Sequence, residues 1–321
     1  MTDSPEVLLL HTVESSPWAN QSEIRAEIEA TVPGIDLRVA RTPPESEAMI
    51  ETAEIVIASF FPSGLLEAAS DLRWVQALSS GVDFYDFDTL RERDVALTNA
   101  AGIHAEPIAE QVLGYMLTFE RKIHTGIRQQ ERNVWERYQA DEIRGKTLGI
   151  VGLGAIGSQI ATYAKTFGMD VVGTKRDPDT APDAVDEAYP PSGIFDVLSR
   201  SEYVVLACPL TDDTRELIGH KELGAMQSDA ILINIARGEI VDEDALIYAL
   251  QQNIIGGAAL DVFEDEPYTS DSPLWDLSNV IMTPHMAGST PHKSKRIATL
   301  FAEHYELYLD GRLGELPNRV V

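Results

Sequence analysis

Cysteine occurs once in 321 residues, at Cys208, which excludes an internal disulfide and a cysteine-rich zinc site. No metal centre is expected. Apolar runs are short: none reaches the roughly 18 residues that a membrane helix requires, so no span is expected. The opening stretch MTDSPEVLLLH has no basic segment ahead of an apolar run that is itself too short for a secretory signal. Nothing there directs export, and a cytoplasmic location is expected. Lysine is scarce as well. Seven of the 25 basic residues are lysines, against 52 acidic residues, and the formal net charge is -27. Such a surface repels nucleic acid, and it repels itself unless salt screens it. The charge is spread along the chain rather than gathered in a tail. It fits an ordinary acidic soluble enzyme, and its size fits better a halophilic protein adapted to a salt-rich cytosol.

Periodicity organises what is present. Short strand-like runs, VLLLH, IDLRVA, EIVIASF, LRWVQALSS and VALTN, alternate with helical stretches such as SEIRAEIEATV and SGLLEAAS, a pattern of parallel sheet with helices on both faces. After Gly102 a long helix is expected over PIAEQVLGYMLTFERKIHTGIRQQ, with Pro107 suited to its first turn and Ile108, Val112, Met116, Phe119 and Ile123 at helical spacing. A helix of that length can bridge two domains or pack on a partner subunit. A second alternation starts at KTLGIVGLGAIGSQIATYAKTFGMDVVGTKR and runs through YVVLACPL, AILINIARG, GGAALDVF and VIMTPHMAG. Two α/β units are therefore expected, with no short internal repeat and no low-complexity linker.

Gly152, Gly154 and Gly157 form G-x-G-x-x-G between the strand TLGIV and a helical pattern, the context that a dinucleotide-binding turn requires. The first glycine permits the tight turn, the second lets backbone approach a pyrophosphate, and the third allows helix to pack closely on strand. The helix N-terminus, from Ala155 and Ile156 onward, favours the phosphate charge. At the end of the next strand an acid usually holds a ribose hydroxyl. Lys175 stands there instead, followed by Arg176. Two cations suit the 2′-phosphate of NADP, so NADP is the preferred cofactor and NAD the lesser one. Should the strand end slip, Asp177 would take the acid's part and both cations would be solvated surface charges.

The chain resembles the D-isomer-specific 2-hydroxyacid dehydrogenase family over nearly its whole length. The resemblance is carried by SSGVD at 79–83, GLGAIG at 152–157, NIARGEIVDEDAL at 234–246, ALDVFEDEP at 259–267 and TPHMAG at 283–288. It implies two doubly wound α/β domains. The flavodoxin-like substrate domain would be built from 1–99 with a return at 286–321, and the Rossmann dinucleotide domain from 100–285, with hinges near Asn99 to Ala101 and Pro284 to Gly288. A homodimer is the expected assembly. It further implies hydride transfer between NAD(P)H and a small 2-keto acid. That chemistry needs a cation for the carboxylate, a proton donor for the carbonyl oxygen and a group that keeps the donor charged.

By resemblance these are Arg237, able to grip a carboxylate by two parallel hydrogen bonds, His285 as acid and base, and Glu266 paired with the imidazole and favouring its cation. Singly, each has a structural alternative: a hydrogen-bonding histidine, a solvated turn arginine, or a glutamate in a water-facing acidic run. The N–H groups of Ser80, Gly81 and Val82 would surround the substrate carboxylate. Asp261 would receive the nicotinamide carboxamide or else cap a turn. Cys208, Pro209, Thr214, Ile235, Ala236 and Gly288 would lie beside the cofactor, and Phe60 and Phe61 would wall the substrate's side-chain pocket or simply fill core. Glu266, where formate-oxidising relatives carry glutamine, argues against formate. A regulatory extension of the kind that many phosphoglycerate-oxidising relatives carry is not expected after Val321. The alternative function is a dinucleotide-sensing corepressor-like scaffold of the same fold.

Overall fold

The computed structural model describes residues 4–13, 20–82, 84–269 and 271–321. Two units separate, Met1–His104 with Ser289–Val321 and Ala105–Gly288. Their junctions fall a few residues beyond the expected ones at 99/100 and 285/286.

Strands β1 (Val7–Leu9), β2 (Leu37–Val39), β3 (Ile55–Ala58), β4 (Trp74–Ala77) and β5 (Ala96–Thr98) form the sheet of the first unit. All pairs are parallel, in the order β2-β1-β3-β4-β5, which is the flavodoxin-like order. Val7–Leu10 and Ile55–Ala58 have no solvent exposure. That is why these strands read as unbroken apolar runs and not as an alternation. Helices α1 (Gln21–Thr31), α2 (Pro43–Met49), α3 (Ser63–Ala68) and α4 (Phe87–Glu92) fill the connections. Asn20 starts α1 by accepting the Glu23 N–H with its side chain, satisfying one of the helix's orphan donors.

The second unit opens with α5 (Ala105–Glu120) and α6 (Ile123–Glu131). It continues through β6 (Thr147–Val151), α7 (Ala155–Thr166), β7 (Asp170–Thr174), β8 (Glu187–Tyr189), α8 (Ile194–Arg200) and β9 (Tyr203–Leu206). It closes with α9 (His220–Leu223), β10 (Ile231–Asn234), α10 (Glu243–Gln251), β11 (Gly257–Leu260) and β12 (Val280–Met282). Seven parallel strands lie in the order β12-β11-β10-β9-β6-β7-β8. The chain begins in the middle at β6, builds outward to β8, then crosses back to β9 on the other side of β6. The β6/β9 pair is thus the point where strand order reverses, and ligands of open α/β sheets bind outside the carboxyl ends of strands at such a point. Helix α11 (Lys293–Leu309) then returns to the first unit and packs on α1. The tail beyond it runs antiparallel beside β5 through the Thr98–Arg319 bridge.

Two expectations change. The single long helix is two, because Lys122 takes a left-handed φ of 50° and ends α5; no glycine or proline there announces the break. Pro107 sits inside the first turn of α5, where its missing N–H costs nothing. Strand β8, read from EAY, was not expected: it is a three-residue edge strand with no fully buried side chain, too short to show a period.

A buried polar group joins α11 to β4 and β5 in the first unit. The Thr98 hydroxyl accepts the Trp74 indole N–H at 2.7 Å and donates to Gln76 Oε1 at 2.9 Å. The same oxygen takes His304 Nδ1 at 2.8 Å, so Nδ1 carries the proton. His304 Nε2 is buried with no hydrogen-bond partner, and burial pushes the imidazole down to about 4. Because the folded pKa lies below the unfolded ~6.5, stability is complete above that value. It is lost as pH falls toward the folded pKa, by up to about 3 kcal/mol. Melting temperature should therefore drop between pH 6.5 and 4 more steeply for the wild type than for His304→Gln, which cannot titrate there; equal slopes would remove His304 as the cause.

Candidate active site

The glycine turn sits at the β6/β9 reversal. Gly152 has φ 104°, and a β-carbon there would lie 2.7 Å from the backbone nitrogen of Cys208, just past β9. A β-carbon on Gly157 would lie 2.2 Å from the Gly152 carbonyl oxygen, so α7 can approach the turn only with glycine at this position. Gly154 differs: it is the residue before α7, and nothing stands within 4 Å of where its side chain would point. Leu153 N–H donates to Thr174 O and Gly152 N–H to Thr174 Oγ1, tying the turn to the end of β7. The N–H groups of Gly154, Ala155, Ile156 and Gly157 find no protein acceptor among the described residues. An open glycine beside free amides at a helix N-terminus suits a pyrophosphate.

Lys175 follows β7 directly, its ammonium donating to Thr180 O at 2.7 Å, and Arg176 beside it is exposed. Asp177 is exposed too and lies farther from the strand end, heading the turn Pro178–Thr180. The strand end therefore belongs to lysine.

Two other loops meet across the carboxyl edge of the same sheet. Arg237 follows β10 and donates through Nη1 to Ala236 O at 2.8 Å, while Asn234 Nδ2 donates to Arg237 O at 2.9 Å. A β-carbon on the next residue, Gly238, would fall 1.9 Å from the Phe263 carbonyl carbon and 2.2 Å from the Glu264 nitrogen. The arginine loop is thus pressed against the loop that leads to Glu266. Glu266 Oε1 accepts the Phe263 N–H at 3.1 Å, and its Oε2 lies 2.7 Å from His285 Nδ1. A cis peptide joins Glu266 to Pro267. The structure thus brings Glu266 and His285 together, the ring half-exposed and facing solvent.

Asp261, just past β11, is 2% exposed. Oδ1 accepts Met286 N–H at 2.9 Å and the Thr283 hydroxyl, and Oδ2 accepts Ala287 N–H at 2.8 Å. A carboxylate offers about four lone-pair sites, so one on Oδ2 is left for the expected carboxamide. Sequence reasoning missed Thr283 and Tyr115 here, whose hydroxyls are hydrogen-bonded to each other. A tyrosine on a buried helix face needs a hydroxyl partner, and that was the available signal.

Cys208 is partly buried against the glycine turn, and burial pushes its thiol up to about 11, which leaves it protonated and a poor nucleophile. Thr214 folds the loop after β9 back on itself by donating to Pro209 O at 2.6 Å. Ile235 is buried and Ala236 partly so, both packed in the unit's core, and Gly288 ends the unit. A cavity of about 1030 Å³ in this unit opens at the amino ends of the strands, lined among others by Lys146, Glu202, Asp229, Gly256 and Ser278. It includes none of the expected site residues.

In the first unit, the segment after β4 is shaped by its own side chains. Ser79 Oγ donates to Gly81 O, Asn99 Nδ2 to Ser80 O and Ser80 Oγ to Ala100 O. The N–H groups of Ser80, Gly81 and Val82 have no protein acceptor among the described residues; Asp83, the last residue of SSGVD, lies outside them. Phe60 is 45% exposed, while Phe61 packs against core. Among the described residues no cluster of three or more metal-binding side chains occurs, and no helix is long and apolar enough to cross a membrane.

A glycine turn at the strand-order reversal of a seven-stranded parallel sheet marks an NAD(P)-binding α/β protein. Residues 113–287 match the family model described as D-isomer specific 2-hydroxyacid dehydrogenase, NAD binding domain. The chain belongs to the D-isomer specific 2-hydroxyacid dehydrogenase family. It is 32% identical over 301 residues to a glyoxylate reductase of Korarchaeum cryptofilum, covering 89% of each chain. It is 37% identical over 263 residues to a D-3-phosphoglycerate dehydrogenase of Methanocaldococcus jannaschii, over 79% of this chain but only about half of that relative's length, 49%. A crystal structure of a D-isomer specific 2-hydroxyacid dehydrogenase from Xanthobacter autotrophicus in complex with NADPH and MES superposes with a TM-score of 0.86 at 30% identity, covering 99% of this chain and 98% of that one.

The glycines separate two effects. Gly154→Ala should leave the melting temperature unchanged and weaken dinucleotide binding, while Gly157→Ala should lower both, since its methyl group meets backbone. Calorimetry and a cofactor titration check this; equal behaviour of the two variants would contradict the assignment.

Proposed function

We propose that the protein reduces small 2-keto acids, glyoxylate among them, to D-2-hydroxy acids, with NADPH preferred over NADH. The observation that carries this reading is the His285–Glu266 pair, 2.7 Å apart, beyond the carboxyl ends of a sheet whose reversal point holds the glycine turn. The dinucleotide, when bound, supplies the hydride. Gly154 and the amides that open α7 receive its pyrophosphate, and Lys175 and Arg176 its 2′-phosphate.

Arg237 takes the substrate carboxylate by a two-pronged contact. Glu266 occupies Nδ1 of His285, which leaves Nε2 as the position that gives a proton to the carbonyl oxygen as hydride arrives at carbon. In the reverse direction the neutral ring takes the hydroxyl proton back. Glyoxylate is favoured by the likeness to a glyoxylate reductase over 89% of both chains. The same likeness does not favour a dinucleotide-sensing scaffold.

Purified protein given NADPH or NADH with a panel of 2-keto acids tests the reading. Glyoxylate should be reduced, with the higher kcat/KM for NADPH. Replacing Lys175 and Arg176 by glutamine should cut that preference at least tenfold, since each charge-assisted bond to phosphate contributes ~1.5–3 kcal/mol. NADPH binding without turnover of any 2-keto acid would overturn the enzyme reading, and an unchanged preference in the double variant would move cofactor selectivity elsewhere.

A further inference from the structure

We propose that Tyr115 and Thr283 are positioning residues for His285, acting through the carboxylate of Asp261; this rests on the reading of His285 as the acid and base. His285 has a left-handed φ of 50°, a conformation that is strained for a residue with a β-carbon and persists only where the surroundings hold it. What holds it is a short run of hydrogen bonds within the second unit. The His285 N–H donates to Asp261 O at 2.8 Å and Thr283 O at 3.0 Å. The next two amides, of Met286 and Ala287, donate to the two carboxylate oxygens of Asp261. The histidine loop therefore hangs on one buried carboxylate.

That carboxylate is itself fixed by a third donor. The Thr283 hydroxyl donates to Oδ1 at 2.5 Å, and its one hydrogen is used there, so the Tyr115 hydroxyl is the donor in the Tyr115–Thr283 contact. Burial raises the Tyr115 phenol above its ordinary range and keeps it protonated for this task. Tyr115 is 3% exposed on the 16-residue helix α5, which packs on α7. A brace thus runs from a rigid helix through Tyr115, Thr283 and Asp261 to the amides that set the backbone of His285, while Glu266 sets its ring. Such a chain is worth more intact than in parts, because a buried hydroxyl or carboxylate oxygen left without its donor incurs the full desolvation cost.

The test uses the intact enzyme, glyoxylate and NADPH. Thr283→Val keeps the shape and removes the hydroxyl; Thr283→Ser restores it; Tyr115→Phe removes only the first donor. With a small misplacement of a catalytic group able to cost up to about 10²-fold, Thr283→Val should lower kcat about tenfold. KM for glyoxylate and Kd for NADPH should stay within about twofold, with Tyr115→Phe moving the same way and Thr283→Ser within about twofold of wild type. Placed on a His285→Ala background, Thr283→Val should cost less than about twofold, because there is no imidazole left to position.

Unchanged kcat in both Thr283→Val and Tyr115→Phe, or an equal loss with and without His285, would overturn the proposal. A wild-type kcat in His285→Ala alone would instead sink the reading on which it rests. Should Thr283→Val fail to fold, Tyr115→Phe alone and on the His285→Ala background decides by the same criteria.

Discussion

The approach of β6 to β9 at the reversal of strand order is the constraint on which the second unit's site depends. Parallel pairing brings the ends of both strands to one edge, and the turn after β6 can press on the backbone after β9 only because Gly152 has no side chain. From that contact follow the entry of α7 and the open space at Gly154. The attachment of the turn to Thr174 in turn places Lys175 beside it. A bulkier residue at the turn would move all of these together. The amides opening α7 are a consequence of the same geometry, since a helix that starts on glycine brings no side chain to cap its own N–H groups.

A second close approach, Gly238 on the backbone of Phe263 and Glu264, links the arginine loop to the glutamate loop. The pairing of Glu266 with His285 then connects the glutamate loop to the one after β12. Three loops from β10, β11 and β12 are thereby coupled by one steric contact and one charge-compatible hydrogen bond. Functional groups held on the ends of neighbouring strands are placed more accurately than groups on free loops.

Much of this was legible in the sequence, because it is written in residues with few alternatives. Glycines at 152, 154 and 157 between an apolar strand and a helical pattern have one common use, and strands buried on both faces appear as apolar runs such as ILIN and IVIA. What stayed hidden depends on contacts between distant positions or on single backbone angles. Lys122 ends a helix without a breaker residue, β8 is too short and too exposed to show a period, and the Tyr115 hydroxyl finds Thr283 far along the chain. Asp261 was legible as an acid in a motif, but its three internal donors follow only from the path of the loop after β12.

If His285 carries the proton, reduction requires the charged ring and oxidation the neutral one, so the two directions must answer pH oppositely. The direct measurement is kcat/KM for glyoxylate reduction with NADPH, and for oxidation of the corresponding 2-hydroxy acid with NADP, as a function of pH in wild type and His285→Ala. Reduction should fall and oxidation rise as pH increases in the wild type. In His285→Ala both trends should vanish, with rates lower by about 10²- to 10⁴-fold. Opposite trends that persist at near wild-type rates in His285→Ala would contradict the assignment of His285 as the acid and base.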